Sequence, residues 1–144
     1  MSGVRAIVLC DDIRREITGK DILIGVYSGR VVITQIPFAL NLAIWLEYEP
    51  EKIGKSTIHL RITYSNKAPG KLKIEMDVAE LTSAGIPLTG LVVNGDVEGD
   101  LTIEFSTDEL NWQLLKTVIF KKGEVSALPT LKTALKTTPP ASST

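Results

Sequence analysis

The chain has 144 residues, 44% of them hydrophobic and 23% charged, with a formal net charge of −1. That is one domain's length, enough to bury a core without staples, and the even charge argues against a nucleic-acid binder, which would show a basic excess or stripe. A single cysteine rules out an internal disulfide, and the first apolar run is broken by Arg5 and meets Asp11-Asp12 at once, unlike a secretory leader. No apolar stretch approaches the roughly 20 residues of a membrane helix, so a soluble cytoplasmic protein is expected.

The predicted elements are strands throughout. Val4, Ala6, Val8 and Cys10 alternate with Ile7 and Leu9; after a charged run, Ile22, Ile24 and Val26 lie opposite Leu23 and Tyr27, and Val31 and Ile33 opposite Val32 and Ile36. Leu40, Leu42, Ile44, Leu46 and Tyr48 form a core row, with Ala43 and Trp45 on the other face. Period-two alternation of a half-buried strand follows in three segments. Ile58, Leu60, Ile62 and Tyr64 alternate with Thr57, His59, Arg61 and Thr63; Leu72, Ile74, Met76 and Val78 with Lys71, Lys73, Glu75 and Asp77; and Leu101, Ile103 and Phe105 with Thr102, Glu104 and Ser106.

Turn formers separate these runs at Pro50 to Gly54, Asn66 to Gly70, Ser83 to Pro87, and Asn94-Gly95 with Gly99-Asp100. Ser106-Thr107-Asp108-Glu109 fits a helix capping box, but the β-branched and aromatic Thr117-Val118-Ile119-Phe120 favours a turn over 107–111 followed by a long strand. In that strand Trp112, Leu114, Val118 and Phe120 lie opposite Leu115 and Ile119.

The expected fold is all-β: a single antiparallel two-sheet β-sandwich of about eight strands over residues 1–125. Residues 126–144 are Thr-, Ser- and Pro-rich and read as a flexible C-terminal tail, in which Leu128, Leu131 and Leu135 could form one short docked helical turn. Strands apolar on both faces require a cover for the second face: another part of the chain, the tail, or a second subunit. Trp45 is accordingly a candidate interface anchor, or else a residue capping the sheet edge or lying under a loop.

Several chemical motifs are weighed on their residues. Gly54-Lys55-Ser56 imitates a phosphate loop, but Glu49 stands where glycine is required, and a strand follows instead of a helix. Asp96, Glu98 and Asp100 alternate through a turn and are candidate ligands for a hard cation such as Ca²⁺, although the calcium-hand register fails; a solvated acidic turn is the preferred reading. Cys10 beside two carboxylates is a poor nucleophile, and the one histidine, His59, falls on the polar face of a different strand.

The charged run holds Asp11, Asp12, Arg14, Glu16 and Lys20. If one strand ends at Cys10 and the next begins at Glu16, the turn between them holds Asp12, Arg14 and Arg15. Arg14 or Arg15 then pairs with Glu16 or with a carboxylate of the 96–100 loop. The cluster reads as an ion-paired hairpin fixing the sheet edge; the functional alternative is a pocket in which Arg14 or Lys20 binds an anionic group.

Leu9-Cys10-Asp11-Asp12-Ile13-Arg14, then Glu16, Gly19-Lys20 and Ile24-Gly25-Val26-Tyr27, resembles the opening of a small, uncharacterised bacterial domain family. Ile36-Pro37-Phe38 with Leu40 fits that family's next block, so the resemblance covers residues 4 to about 48. It implies a compact β-sandwich of this size and no catalytic residues.

The functional expectation is a non-enzymatic structural or protein-interaction module without cofactor, self-associating through its doubly apolar strands, a homodimer being favoured, with neither nucleic acid nor membrane as partner. The alternative is a ligand- or Ca²⁺-binding sandwich using loops 11–20 and 94–100. A hydrolase comes third and requires His59, Cys10 and an acidic loop to converge.

Overall fold

The structure is a computed structural model that describes residues 3–123. Nine strands follow in chain order: β1 (Val4–Arg15), β2 (Asp21–Tyr27), β3 (Arg30–Ile33), β4 (Phe38–Tyr48), β5 (Gly54–Tyr64), β6 (Gly70–Val78), β7 (Ala84–Gly95), β8 (Gly99–Ser106) and β9 (Gln113–Lys122). They form a four-stranded sheet in the order β2-β1-β4-β7 and a five-stranded sheet in the order β3-β9-β8-β5-β6. Neighbours pair antiparallel except β3, which runs parallel to β9. The all-β two-sheet sandwich is as expected. Among the described residues no helix is long and apolar enough to cross a membrane. The 126–144 tail, with its candidate docked turn, lies outside the described residues.

The strand absent from the sequence reading is β7. Its Ser83 to Pro87 portion reads as turn, and Gly85 and Pro87 do punctuate that portion. The segment is nonetheless extended because β7 lies at a sheet edge, where Pro87 need not donate to a further neighbour. The register with β4 shifts between Leu42 and Ile44, at the stretch of β7 where Gly90 takes a φ of 75°.

The inner faces carry the alternation read from the sequence. Ile58, Leu60 and Tyr64 of β5 meet Leu101, Ile103 and Phe105 of β8, Val118 and Phe120 of β9, and Leu42, Ile44 and Leu46 of β4 in one buried cluster. Leu72, Ile74 and Met76 of β6 pack at its margin. The rings of Phe38, Tyr64 and Phe120 form a mutual aromatic group with centroid separations of 5.4, 5.5 and 5.2 Å.

The 107–112 segment is a turn, and β9 follows it. Ser106 Oγ accepts the N–H groups of Asp108 and Glu109 at 3.2 and 2.9 Å, and Asp108 Oδ1 accepts those of Leu110 and Asn111 at 2.9 and 2.8 Å. The capping-box residues thus satisfy four backbone donors without a helix behind them.

Candidate interaction surface

β1 does not end at Cys10. The charged residues 11–15 continue it, paired with β2 as Asp12 to Ile24, Ile13 to Leu23, Arg14 to Ile22 and Arg15 to Asp21. The turn therefore holds Glu16–Lys20 rather than Asp12 to Arg15. Its three-residue loop, Ile17-Thr18-Gly19, is closed by Gly19 N–H to Glu16 O at 2.9 Å and Glu16 N–H to Lys20 O at 2.7 Å. Gly19 takes the left-handed φ of 91° that such a loop needs at its third residue. Only Ile13 among these residues is apolar, and it is the continued pairing with β2 that keeps the charged run extended instead of turning.

Beyond Cys10, whose partner on β4 is Ala43, β1 has only β2 beside it. Residues 11–24 form a two-stranded arm. Its Ile13 and Leu23 pack on Cys10, Ala43 and Trp45 in a second apolar cluster, separate from the main core. Ala43 and Trp45 alternate with the core residues Leu42, Ile44 and Leu46, so this cluster lies on the outer face of the four-stranded sheet. The arm folds across that face, and the cover that the doubly apolar first strand demanded comes from the same chain.

A polar clasp holds the arm down. Arg15 donates to both Asp21 oxygens at 2.8 and 3.1 Å and to Gly85 O at 3.4 Å, and Trp45 Nε1 donates to Asp21 Oδ2 at 3.0 Å. The Asp21 side chain is only 8% exposed. The hydrogen bond from Arg15 holds its carboxyl below the usual carboxylate range, with Trp45 adding to the effect against partial burial. Asp21 was not among the sequence candidates. Arg15 pairs with it instead of with Glu16 or the 96–100 loop, because the hairpin register sets the two directly opposite. Trp45 itself is half-buried beneath the arm.

The other charged candidates are paired locally on the arm. Arg14 lies 3.5 Å from Asp12 and Lys20 lies 3.7 Å from Glu16, exposed pairs of the kind worth about 0–1 kcal/mol. Asp11 accepts the Tyr27 hydroxyl at 2.5 Å. Burial, and then that carboxylate, push the Tyr27 phenol up to about 12.

The exposed row of β2 is apolar, with the exposed Arg14 and the half-exposed Asp12 of β1 directly opposite Ile22 and Ile24. Ile22, Ile24 and Val26 on β2 are 46%, 42% and 58% exposed. β2 is one of four edge strands, and the other three carry the usual protections against pairing with another chain. β3 is only four residues long, β6 bears Lys71, Lys73, Glu75 and Asp77, and β7 has Pro87 and the irregularity at Gly90. From Ile22 to Val26, β2 has neither charge nor proline, and Gly25, with a φ of 69°, is its one irregularity.

The remaining candidates do not converge. Asp96 and Glu98 are exposed in the β7–β8 turn and Asp100 at the start of β8, a region tied to its surroundings by other bonds. Glu98 Oε2 accepts Lys122 N–H at 2.6 Å, the Asp100 carbonyl accepts Ser65 N–H at 2.8 Å, and Tyr64 donates to the Val97 carbonyl at 2.6 Å. Among the described residues no three of His, Cys, Asp and Glu are placed to hold a metal ion. Cys10 is fully buried and burial raises its thiol pKa. His59 lies on the outer face of the other sheet, alternating with core residues Ile58 and Leu60, so the hydrolase set is split across the sandwich. Gly54-Lys55-Ser56 opens β5.

Sequence reasoning also missed a constellation on the five-stranded sheet. Arg61 makes a bidentate pair with Glu104 at 2.8 and 2.9 Å, and its guanidinium lies 4.2 Å from the Trp112 ring centroid. The available signal was Asn111-Trp112-Gln113, a tryptophan between two amides in a turn. The chain matches no family model, and no curated protein or solved structure matches it.

Proposed function

We propose that this protein is a non-enzymatic interaction module that self-associates through the free edge and exposed face of β2. The observation that carries the reading is the contrast between edges among the described residues: β3 is short, β6 is charged and β7 is interrupted by Pro87 and Gly90, whereas β2 presents the uncharged, proline-free row of Ile22, Ile24 and Val26. An unprotected apolar edge recruits another strand by main-chain hydrogen bonding and side-chain burial.

A second copy is the occupant because the strand is self-complementary about Ile24. Antiparallel pairing across a twofold axis sets Ile24 against its own copy and Ile22 against Val26 of the partner copy, so apolar meets apolar along the whole row. Such a dimer joins two four-stranded sheets into one of eight.

Light scattering behind a sizing column tests this. A dimer insensitive to a chelator is expected, converting to monomer in Ile24→Lys, while Val92→Lys on the opposite edge stays dimeric. A monomeric native protein, or a dimer indifferent to Ile24→Lys, overturns the proposal.

A further inference from the structure

A cleft of about 610 Å³ opens at one end of the sandwich, between the start of β5, the end of β8 and the 107–112 turn. This size lies within the range of small-molecule sites. Its aromatic lining is Tyr48, Phe105 and Trp112, the first two with ring centroids 5.9 Å apart. Neutral hydrogen-bonding groups face it from Ser56, Asn111 and Gln113, and the charges on the lining are of both signs, Glu51 against Lys52 and Lys55.

The wall is held in place by bonds that serve no core. Trp112 rests on Arg61, which is fixed by the bidentate pair to Glu104. The turn carrying Asn111 is locked by Ser106 and Asp108, and the Asn111 amide nitrogen donates to Asp108 Oδ2 at 3.0 Å, which leaves its carbonyl oxygen to accept. Gln113 follows with an exposed side chain. A preorganised aromatic surface beside amides and hydroxyls suits a ligand that is apolar on one face and rich in hydroxyls at its rim. The lining concentrates no charge of one sign, Glu51 standing among Lys52 and Lys55, and a purely apolar ligand would strand the amides without partners.

From this lining we infer that the cleft is a binding site for a neutral sugar, with Trp112 as the stacking platform and Asn111 and Gln113 as partners of its hydroxyls. No residue of β2 lines the site, and it does not depend on self-association.

The test is an amide NMR titration of the full-length protein with glucose, galactose, N-acetylglucosamine and cellobiose. At least one of these sugars shifts resonances of residues 55–57 and 111–113, and Trp112→Ala weakens its binding by about tenfold or more. Gln113→Ala, an exposed change that the fold tolerates, weakens it as well and keeps the test decisive if Trp112→Ala does not fold. The site is disproved if none of the four sugars moves those resonances, or if the shifts persist undiminished in the Gln113 variant.

Discussion

The indole N–H of Trp45 donates to the carboxylate of Asp21 at 3.0 Å across 24 residues of chain. This bond fastens the hairpin arm to the sheet it covers. Arg15 completes the clasp from the opposite strand of the arm, so one carboxylate takes three donors from two side chains. Beneath lie Cys10 and Ala43, both essentially inaccessible.

Asp21→Ala should therefore release the arm without unfolding the sandwich. The main core shares no residue with the second cluster, so its packing survives. Cys10, the one thiol of the chain, reports the change. It should react slowly with an alkylating reagent in the native protein and markedly faster in the variant, with circular dichroism unchanged. Equal rates in the two proteins would show that the clasp does not control the arm. Trp45→Phe removes a single donor and should cost about 1 kcal/mol in a denaturant melt.

The same clasp sets an acid dependence. Because Arg15 lowers the folded-state pKa of Asp21, its contribution is present above the unfolded carboxylate value of about 4 and is lost as pH falls through the folded one. Hydrogen exchange of residues 11–24 relative to the core should thus accelerate on acidification below that value. In Asp21→Asn this increment should be gone, leaving fast arm exchange at every pH.

The three tyrosines give a signal at the other end of the scale. Burial raises all three phenols, with nearby carboxylates adding to it: Asp11 at Tyr27, Glu51 at Tyr48, and Asp100, Glu98 and Asp96 at Tyr64. A raised folded pKa stabilises the fold below the unfolded value of about 10, and the contribution fades as pH climbs through the folded one. For Tyr27 that window closes near about 12. Native protein should show far less tyrosinate absorbance at pH ~10 than the half-ionised unfolded chain. A native titration matching the unfolded one would contradict these environments.

Phe120 is fully buried against Phe38 and Tyr64. Phe120→Ala should cost about 3–5 kcal/mol, read from chemical denaturation. Phe120→Leu, which keeps most of the volume, should cost distinctly less.

The strands with one wet and one dry face were legible in the sequence. Thr57 to Tyr64, Lys71 to Val78 and Leu101 to Ser106 alternate cleanly because each has solvent on one side and core on the other. The turn before Trp112 was legible for a related reason: β-branched residues after it opposed the helix that the capping residues suggested. β7 was not, since tolerance of Pro87 and Gly90 follows from lying at an edge, and edge position is a property of the sheet. The reach of β1 into the charged run was hidden too, because consecutive charged residues such as Asp11-Asp12 and Arg14-Arg15 serve a turn and a solvated arm equally well.

By itself, then, the sequence determined the β class, most of the main core (without Val93 of β7, and with the exposed Leu114 wrongly included) and the need for something to cover the doubly apolar first strand, all of which follow from local periodicity and burial. Only the tertiary structure decided what the cover is. The answer depended on a fold-back that sets Asp21 beside Trp45 and Arg15 near Gly85, contacts 24 and 70 residues apart in the chain. No local preference encodes such a meeting, since the free energy that selects it appears only when both partners are already in place.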